Sequence, residues 1–167
     1  MSFSSHKELG FEKLLLVEGS TEVKVIQQFL RKMGKDHRVV LLPMNGRIPQ
    51  SEELEEILRI TTKVAAIIVS ERLAQGQSLE KKRQDFFDLC KSKNIKCLVL
   101  ERRATENYFS DAAIKGVFGA EFRALGPYEL LRDVQPHWSK SDNWKLAGVM
   151  RLDELKGNDL GQFLDRL

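Results

Sequence analysis

Cysteine and histidine are scarce. The 167 residues hold two cysteines, Cys90 and Cys97, and three scattered histidines, His6, His37 and His137. Cysteines without a second pair have no metal-ligand spacing, so they read as reduced thiols in or near the core of a cytosolic protein. No apolar run reaches the length of a membrane span, which excludes a membrane-spanning reading. Residues 1–11 lack the apolar centre of an export signal and carry Lys7 and Glu8, so the expected location is cytoplasmic. A phosphate-binding Gly-Lys-Ser/Thr loop is also missing, so any ATP must come with another chain. Charge of one sign is weak: the formal net charge is +3 with a pI near 8.9. That balance permits a nucleic-acid partner without demanding one. What remains is 42% hydrophobic and 31% charged residues, enough for one packed, water-compatible domain, with or without an appendage.

The chain alternates short apolar runs with helical periodicity. Lys13 to Val17 reads as a buried strand that feeds a turn at Gly19, and Ser20 is placed to cap the helix that follows. That helix, Thr21 to Met33, has Val23, Ile26, Leu30 and Met33 on one face and Gly34 as its stop. A second strand is expected over Arg38 to Pro43 and a second helix over Glu52 to Thr61. Lys63 to Val69 is the most apolar run, and its lack of polar alternation predicts burial on both faces of a parallel sheet. Ser78 is placed to cap a helix from Leu79 to Lys93, and Ile95 to Leu100 forms a fourth strand. The rhythm predicts βαβ units. After Leu100 short helices follow, broken at Gly126-Pro127, Gln135-Pro136 and Gly157, with no repeat and no low-complexity segment. The expected organisation is an α/β domain over 1–110, built on a mostly parallel four-stranded sheet with flanking helices, and a helical extension over 111–167 packed on it.

Acidic residues recur where those strands end: Glu18 with Glu22, Glu71, and Glu101 with Glu106. A parallel sheet brings such ends to one edge, the place where open α/β sheets gather ligands. Converging carboxylates suit Mg²⁺ or Mn²⁺, which can activate water and clamp a phosphate. The plain alternative is that carboxylates favour strand ends and helix starts. Arg102 and Arg103 allow two readings, a phosphate clamp or internal salt bridges to the acidic edge. Trp138 and Trp144 stand among basic residues; core or interface anchoring is the expected role, with a nucleic-acid platform as the other.

The stretch Leu14-Leu15-Leu16-Val17-Glu18-Gly19-Ser20-Thr21-Glu22 resembles the first motif of the TOPRIM domain, in which the Glu is the catalytic acid. Ile67-Ile68-Val69-Ser70-Glu71-Arg72 stands where that family carries Asp-x-Asp; Glu71 matches the second acid, and Val69 replaces the first. Glu101-Arg102-Arg103-x-x-Glu106-Asn107-Tyr108 resembles a block of the OLD-like (overcoming lysogenization defect) and defence-associated TOPRIM proteins. The resemblance covers roughly residues 12–110. It implies a Rossmann-like TOPRIM fold and a metal-dependent phosphodiesterase acting on DNA or RNA, as a toxin or phage-defence nuclease. Glu18 would be general acid/base or ligand, Glu22, Glu71 and Glu106 metal ligands, Arg102 and Arg103 phosphate-holding groups, and Mg²⁺ or Mn²⁺ the cofactor. Val69 cannot ligate a metal, so the second expectation is a catalytically degenerate module that binds nucleic acid or a partner ATPase. A homo-oligomer is compatible with either.

Overall fold

A computed structural model describes residues 10–135 and 137–167. The opening residues 1–9, which hold most of the polar lead-in, and Pro136 lie outside the described residues. Four strands, β1 (Lys13–Val17), β2 (Val39–Pro43), β3 (Val64–Ile68) and β4 (Lys96–Val99), form one sheet in the order β2-β1-β3-β4. Every pairing is parallel, with Leu15 opposite Leu41 and Ala65, and Ile67 opposite Leu98. The architecture is α/β and Rossmann-like, with eight flanking helices among the described residues.

Side-chain alternation explains why the strands are apolar throughout. Leu15, Val17, Ala65, Ile67 and Val69 enter one core, while Leu16, Ala66 and Ile68 enter another on the opposite face. The first core is covered by α1 (Ser20–Lys32), which buries Val25, Ile26, Phe29 and Leu30 at helical spacing. The second is covered by α2 (Ser51–Ile60) and α3 (Lys81–Ser92), through Leu54, Phe86 and Cys90. Gly34 ends α1 in the left-handed region, at φ 68°. Its N–H donates to the Arg31 carbonyl and that of Lys35 to the Leu30 carbonyl, at 3.1 and 2.9 Å.

Two expected caps differ. The residue at the N-cap of α1 is Gly19, not Ser20, and no side chain caps the helix. Helix α3 starts at Lys81 rather than Leu79, because Arg72 Nε and the Leu73 N–H both donate to Gln77, at 2.8 and 2.6 Å. The turn they close carries the chain past Ser78 in non-helical form.

Beyond β4 come a 3₁₀ turn (Thr105–Tyr108), α4 (Asp111–Phe118), α5 (Leu131–Val134), a second 3₁₀ turn (Lys140–Asp142), α6 (Asn143–Val149), α7 (Leu152–Lys156) and α8 (Asp159–Asp165). Leu146, Ala147, Leu155, Leu160 and Leu164 of this stretch enter the same core as α1. Tyr108, Phe109 and Trp138 are buried, and Trp138 packs near Phe109 and Phe118 at 6.0 and 5.6 Å between ring centres. Trp144 is exposed, so the anchoring role falls to Trp138 alone. No helix of the described residues is long and apolar enough to cross a membrane.

Candidate functional site

The strand order reverses between β1 and β3: the chain leaves β1 toward β2 on one side, then crosses to β3 on the other. Ligands of open α/β sheets gather at such a switch point, outside the carboxyl ends of the strands. Here that crevice is bounded by Glu18 after β1, Val69-Ser70-Glu71 after β3, and Glu101-Arg102-Arg103 beyond β4.

Glu18 is held in place rather than free. Arg83, from α3, donates from Nη2 to Glu18 Oε1 at 2.9 Å and from Nη1 to Oε2 at 3.0 Å. The same Nη1 donates to the Val69 carbonyl at 3.0 Å, and the Val69 N–H donates to Glu18 Oε2 at 3.2 Å. The Arg83 side chain is 7% exposed and that of Glu18 18%. Burial works against the Arg83 charge, but Glu18, with Glu71 and Glu80 behind it, outweighs burial and raises its pKa.

Glu71 adopts φ 56°, the left-handed region that residues with a Cβ seldom enter. Arg103 holds it there. The Arg103 guanidinium pairs with the Glu71 carboxylate and donates to its carbonyl at 2.8 Å, while the Glu71 N–H donates to the Arg103 carbonyl at 3.0 Å. Ser70 Oγ donates to the Arg102 carbonyl at 2.9 Å, tying the two loops together.

Glu106 is 4% exposed. Its Oε1 accepts from Lys140 Nζ at 2.8 Å, and its Oε2 is buried without a hydrogen-bond partner among the described residues. For Lys140, burial works against the charge, but Glu106, Glu71 and Glu22 prevail and raise its pKa. Burial also pushes the Glu22 carboxyl up, against help from its own backbone N–H and from Lys140; Glu18 and Glu106 add to the rise. The four carboxylates therefore share one electrostatic neighbourhood, and the three cations Arg83, Arg103 and Lys140 each pair with one of them.

The remaining expected residues have structural partners. Arg102 Nη1 donates to the Asn107 carbonyl at 2.7 Å, and its guanidinium lies 5.0 Å from the Tyr108 ring centre, so the phosphate-clamp expectation meets an arginine spent on its own loop. Asn107 accepts from the Ala104 N–H at 3.1 Å and donates to the Gly126 and Glu129 carbonyls at 2.7 and 3.0 Å. Tyr108 donates to Asp159 Oδ1 at 2.8 Å and accepts from the Arg102 N–H at 3.1 Å. Glu101 is exposed and contributes its backbone N–H to Asp159 at 2.9 Å.

Arg83 and Lys140 are the residues that sequence reasoning missed. Arg83 had a signal: it stands three residues before Phe86 and seven before Cys90, a basic residue on the buried stripe of α3. Lys140 had none, since only the folded tail carries it to Glu106.

These carboxylates do not fit a divalent metal as they are arranged. Both Glu18 oxygens and one oxygen each of Glu71 and Glu106 are engaged by basic side chains, and the position beside Glu18 is Val69. Among the described residues no group of three or more His, Cys, Asp or Glu side chains converges as a metal site.

Two crevices flank the edge. One, of about 480 Å³, lies between Glu18 and Arg83 on one side and Arg47, Lys82 and Phe86 on the other. The second, of about 420 Å³, is bounded by Glu71, Arg103, Glu106, Arg132, Trp138 and Lys140. No family model, curated protein or solved structure matches the chain.

Proposed function

We propose that this chain is a catalytically degenerate TOPRIM-like module that binds the phosphate backbone of nucleic acid at the carboxyl edge of its sheet. The observation that carries this reading is the two-pronged Arg83–Glu18 pair, buttressed by the Val69 backbone. A guanidinium fixed at the carboxylate supplies the positive charge that a metal would otherwise bring, and it cannot activate water. The side chains that rim both crevices, Arg47 and Lys82 on one and Arg132 and Lys140 on the other, suit a polyanion.

A second reading is the metal-dependent nuclease of DNA or RNA. It is favoured by the oxygens left outside ion pairs: Glu106 Oε2, and the carboxylate of Glu22, which Glu18 and Glu106 raise.

Two assays separate the readings. Fluorescence anisotropy with labelled single-stranded and duplex DNA and RNA should show binding that weakens strongly between about 50 and 200 mM salt. Incubation of supercoiled plasmid and structured RNA with Mg²⁺ or Mn²⁺ should show no cleavage above that of Glu18→Gln. Cleavage by the unmodified chain that vanishes in Glu18→Gln would overturn degeneracy and establish the nuclease. Cleavage only by Val69→Asp would mark Val69 as the lesion. Absence of nucleic-acid binding at low salt would leave the partner-protein reading, an ATPase being the expected partner.

A further inference from the structure

The crevice beside Glu106 has a feature that phosphate binding alone does not use. Glu106 is a carboxylate more than nine-tenths buried, and one of its oxygens, Oε2, lacks a donor. A buried acceptor without a partner costs roughly 1–3 kcal/mol, so the site calls for a hydrogen-bond donor. The same crevice has apolar walls, Leu130, Leu131 and Trp138, and a cationic rim. Arg132 on that rim is 81% exposed, with Asp133 as its only ion-pair partner, at 3.5 Å. The volume, about 420 Å³, falls in the range of small-ligand sites.

Taken together, a donor-seeking oxygen, apolar walls and a basic rim describe a flat heterocycle with an amino group at one end and an anion at the other. The number of free acceptors narrows the choice. Glu106 Oε1 already accepts from Lys140, so a paired donor such as the guanine edge would find one free acceptor where it needs two. A single exocyclic amine needs only Oε2, and acceptance by a glutamate from the cytosine N4 amine is a known base-reading contact. Uracil, thymine and hypoxanthine present a carbonyl at the corresponding place and would set acceptor against acceptor.

We propose that this crevice binds a nucleotide carrying an amine-bearing base, cytosine or adenine, with Glu106 Oε2 accepting the exocyclic N–H and Arg132 holding the phosphate. The inference rests on the nucleic-acid reading for its partner class and deepens it by naming which bases the edge selects. The nucleotide could be free or the end of a strand, and the test separates the two.

The first measurement is the quenching of Trp138 fluorescence in a Trp144→Phe background, titrated with CMP, UMP, AMP and IMP. CMP and AMP should bind at least about tenfold more tightly than UMP and IMP, the discrimination that one good base contact supplies. Glu106→Gln, whose amide can donate as well as accept, should abolish or reverse that ratio. Arg132→Ala changes an exposed side chain; it should weaken CMP about fivefold and leave cytidine unchanged. Equal affinities for CMP and UMP on the unmodified chain would overturn the proposal without any variant. So would a preference that survives in a Glu106→Gln protein shown by its melting curve to be folded.

Oligo-dC and oligo-dT provide the second arm. Salt-dependent binding of both with equal strength and no mononucleotide preference would sink the pocket and leave the module reading standing. CMP selectivity without oligonucleotide binding would uphold the pocket as a free-nucleotide site and sink the nucleic-acid reading.

Discussion

Arg83 belongs by position to the buried stripe of α3, where an apolar residue would be expected, and its charge is accommodated only because Glu18 and the Val69 carbonyl meet it. Desolvating two ions is costly, so such a pair contributes little net stability when intact, yet removing one partner strands the other. Arg83→Met should therefore lower stability by about 3 kcal/mol in urea denaturation. The double variant Glu18→Leu/Arg83→Met should regain most of that loss, since neither charge is then buried alone. A single variant as stable as the unmodified chain would mean that Glu18 is solvated in spite of its partner, and the degenerate reading would lose its support. Val69 belongs to the same unit: its backbone bonds Glu18 and Arg83, while its side chain packs in the other core, with Val17 and Ile67.

Helix α8 shows how closely the tail elements are fitted. Asn158 caps it, accepting from the Gly161 N–H at 2.9 Å. A Cβ on Gly161 would collide with the Leu155 carbonyl of α7, a backbone atom that cannot swing aside. Gly161→Ala should cost about 2 kcal/mol or more, measured by chemical denaturation, although alanine is the better helix former. A neutral result would show that α7 and α8 slide freely past one another. Their position matters to the site, because Asp159 in the first turn of α8 accepts from the Tyr108 hydroxyl and the Glu101 N–H. A shift of α8 is thus transmitted to the loop that carries Arg102, Arg103 and Glu106.

The pH dependence of stability is a property of the whole molecule, and at this edge two carboxyls act in opposite senses. Glu22 is raised in the folded state, chiefly by burial, so the fold binds its proton more tightly than the unfolded chain does. Its cost is absent below the ordinary value of 4.5 and grows as pH rises through that value toward the raised one. Glu129 is pushed down to about 2 by Arg123 and the Gly126 N–H, so its contribution is present above 4.5 and lost as pH falls. Glu22→Gln should therefore stabilise the protein near pH 7, with the gain shrinking to nothing by about pH 4, as read from thermal melts across that range. A gain that persists at low pH would assign the effect to packing rather than to charge. The raised Glu22 and the orphaned Glu106 oxygen mark the one part of the edge that its ion pairs leave incompletely satisfied.

By itself the sequence determined the layered α/β architecture. Continuous apolar runs such as Val64–Ile68 can be satisfied only when both faces of a sheet are covered, and the 3–4 spacing of Val25, Ile26, Phe29 and Leu30 supplies one cover. It also determined which carboxylates stand at the strand ends, because parallel strands share a polarity and their ends share an edge. Only the tertiary structure decided what those carboxylates meet. Arg83 is 65 residues from Glu18 along the chain, and Lys140 reaches Glu106 through a tail whose short helices show little periodicity. Ion pairing depends on distance and burial, which emerge only when the elements pack. Residue types at an edge can announce an acidic site, and the folded partners determine whether its charge is left for a metal or already neutralised by arginine and lysine.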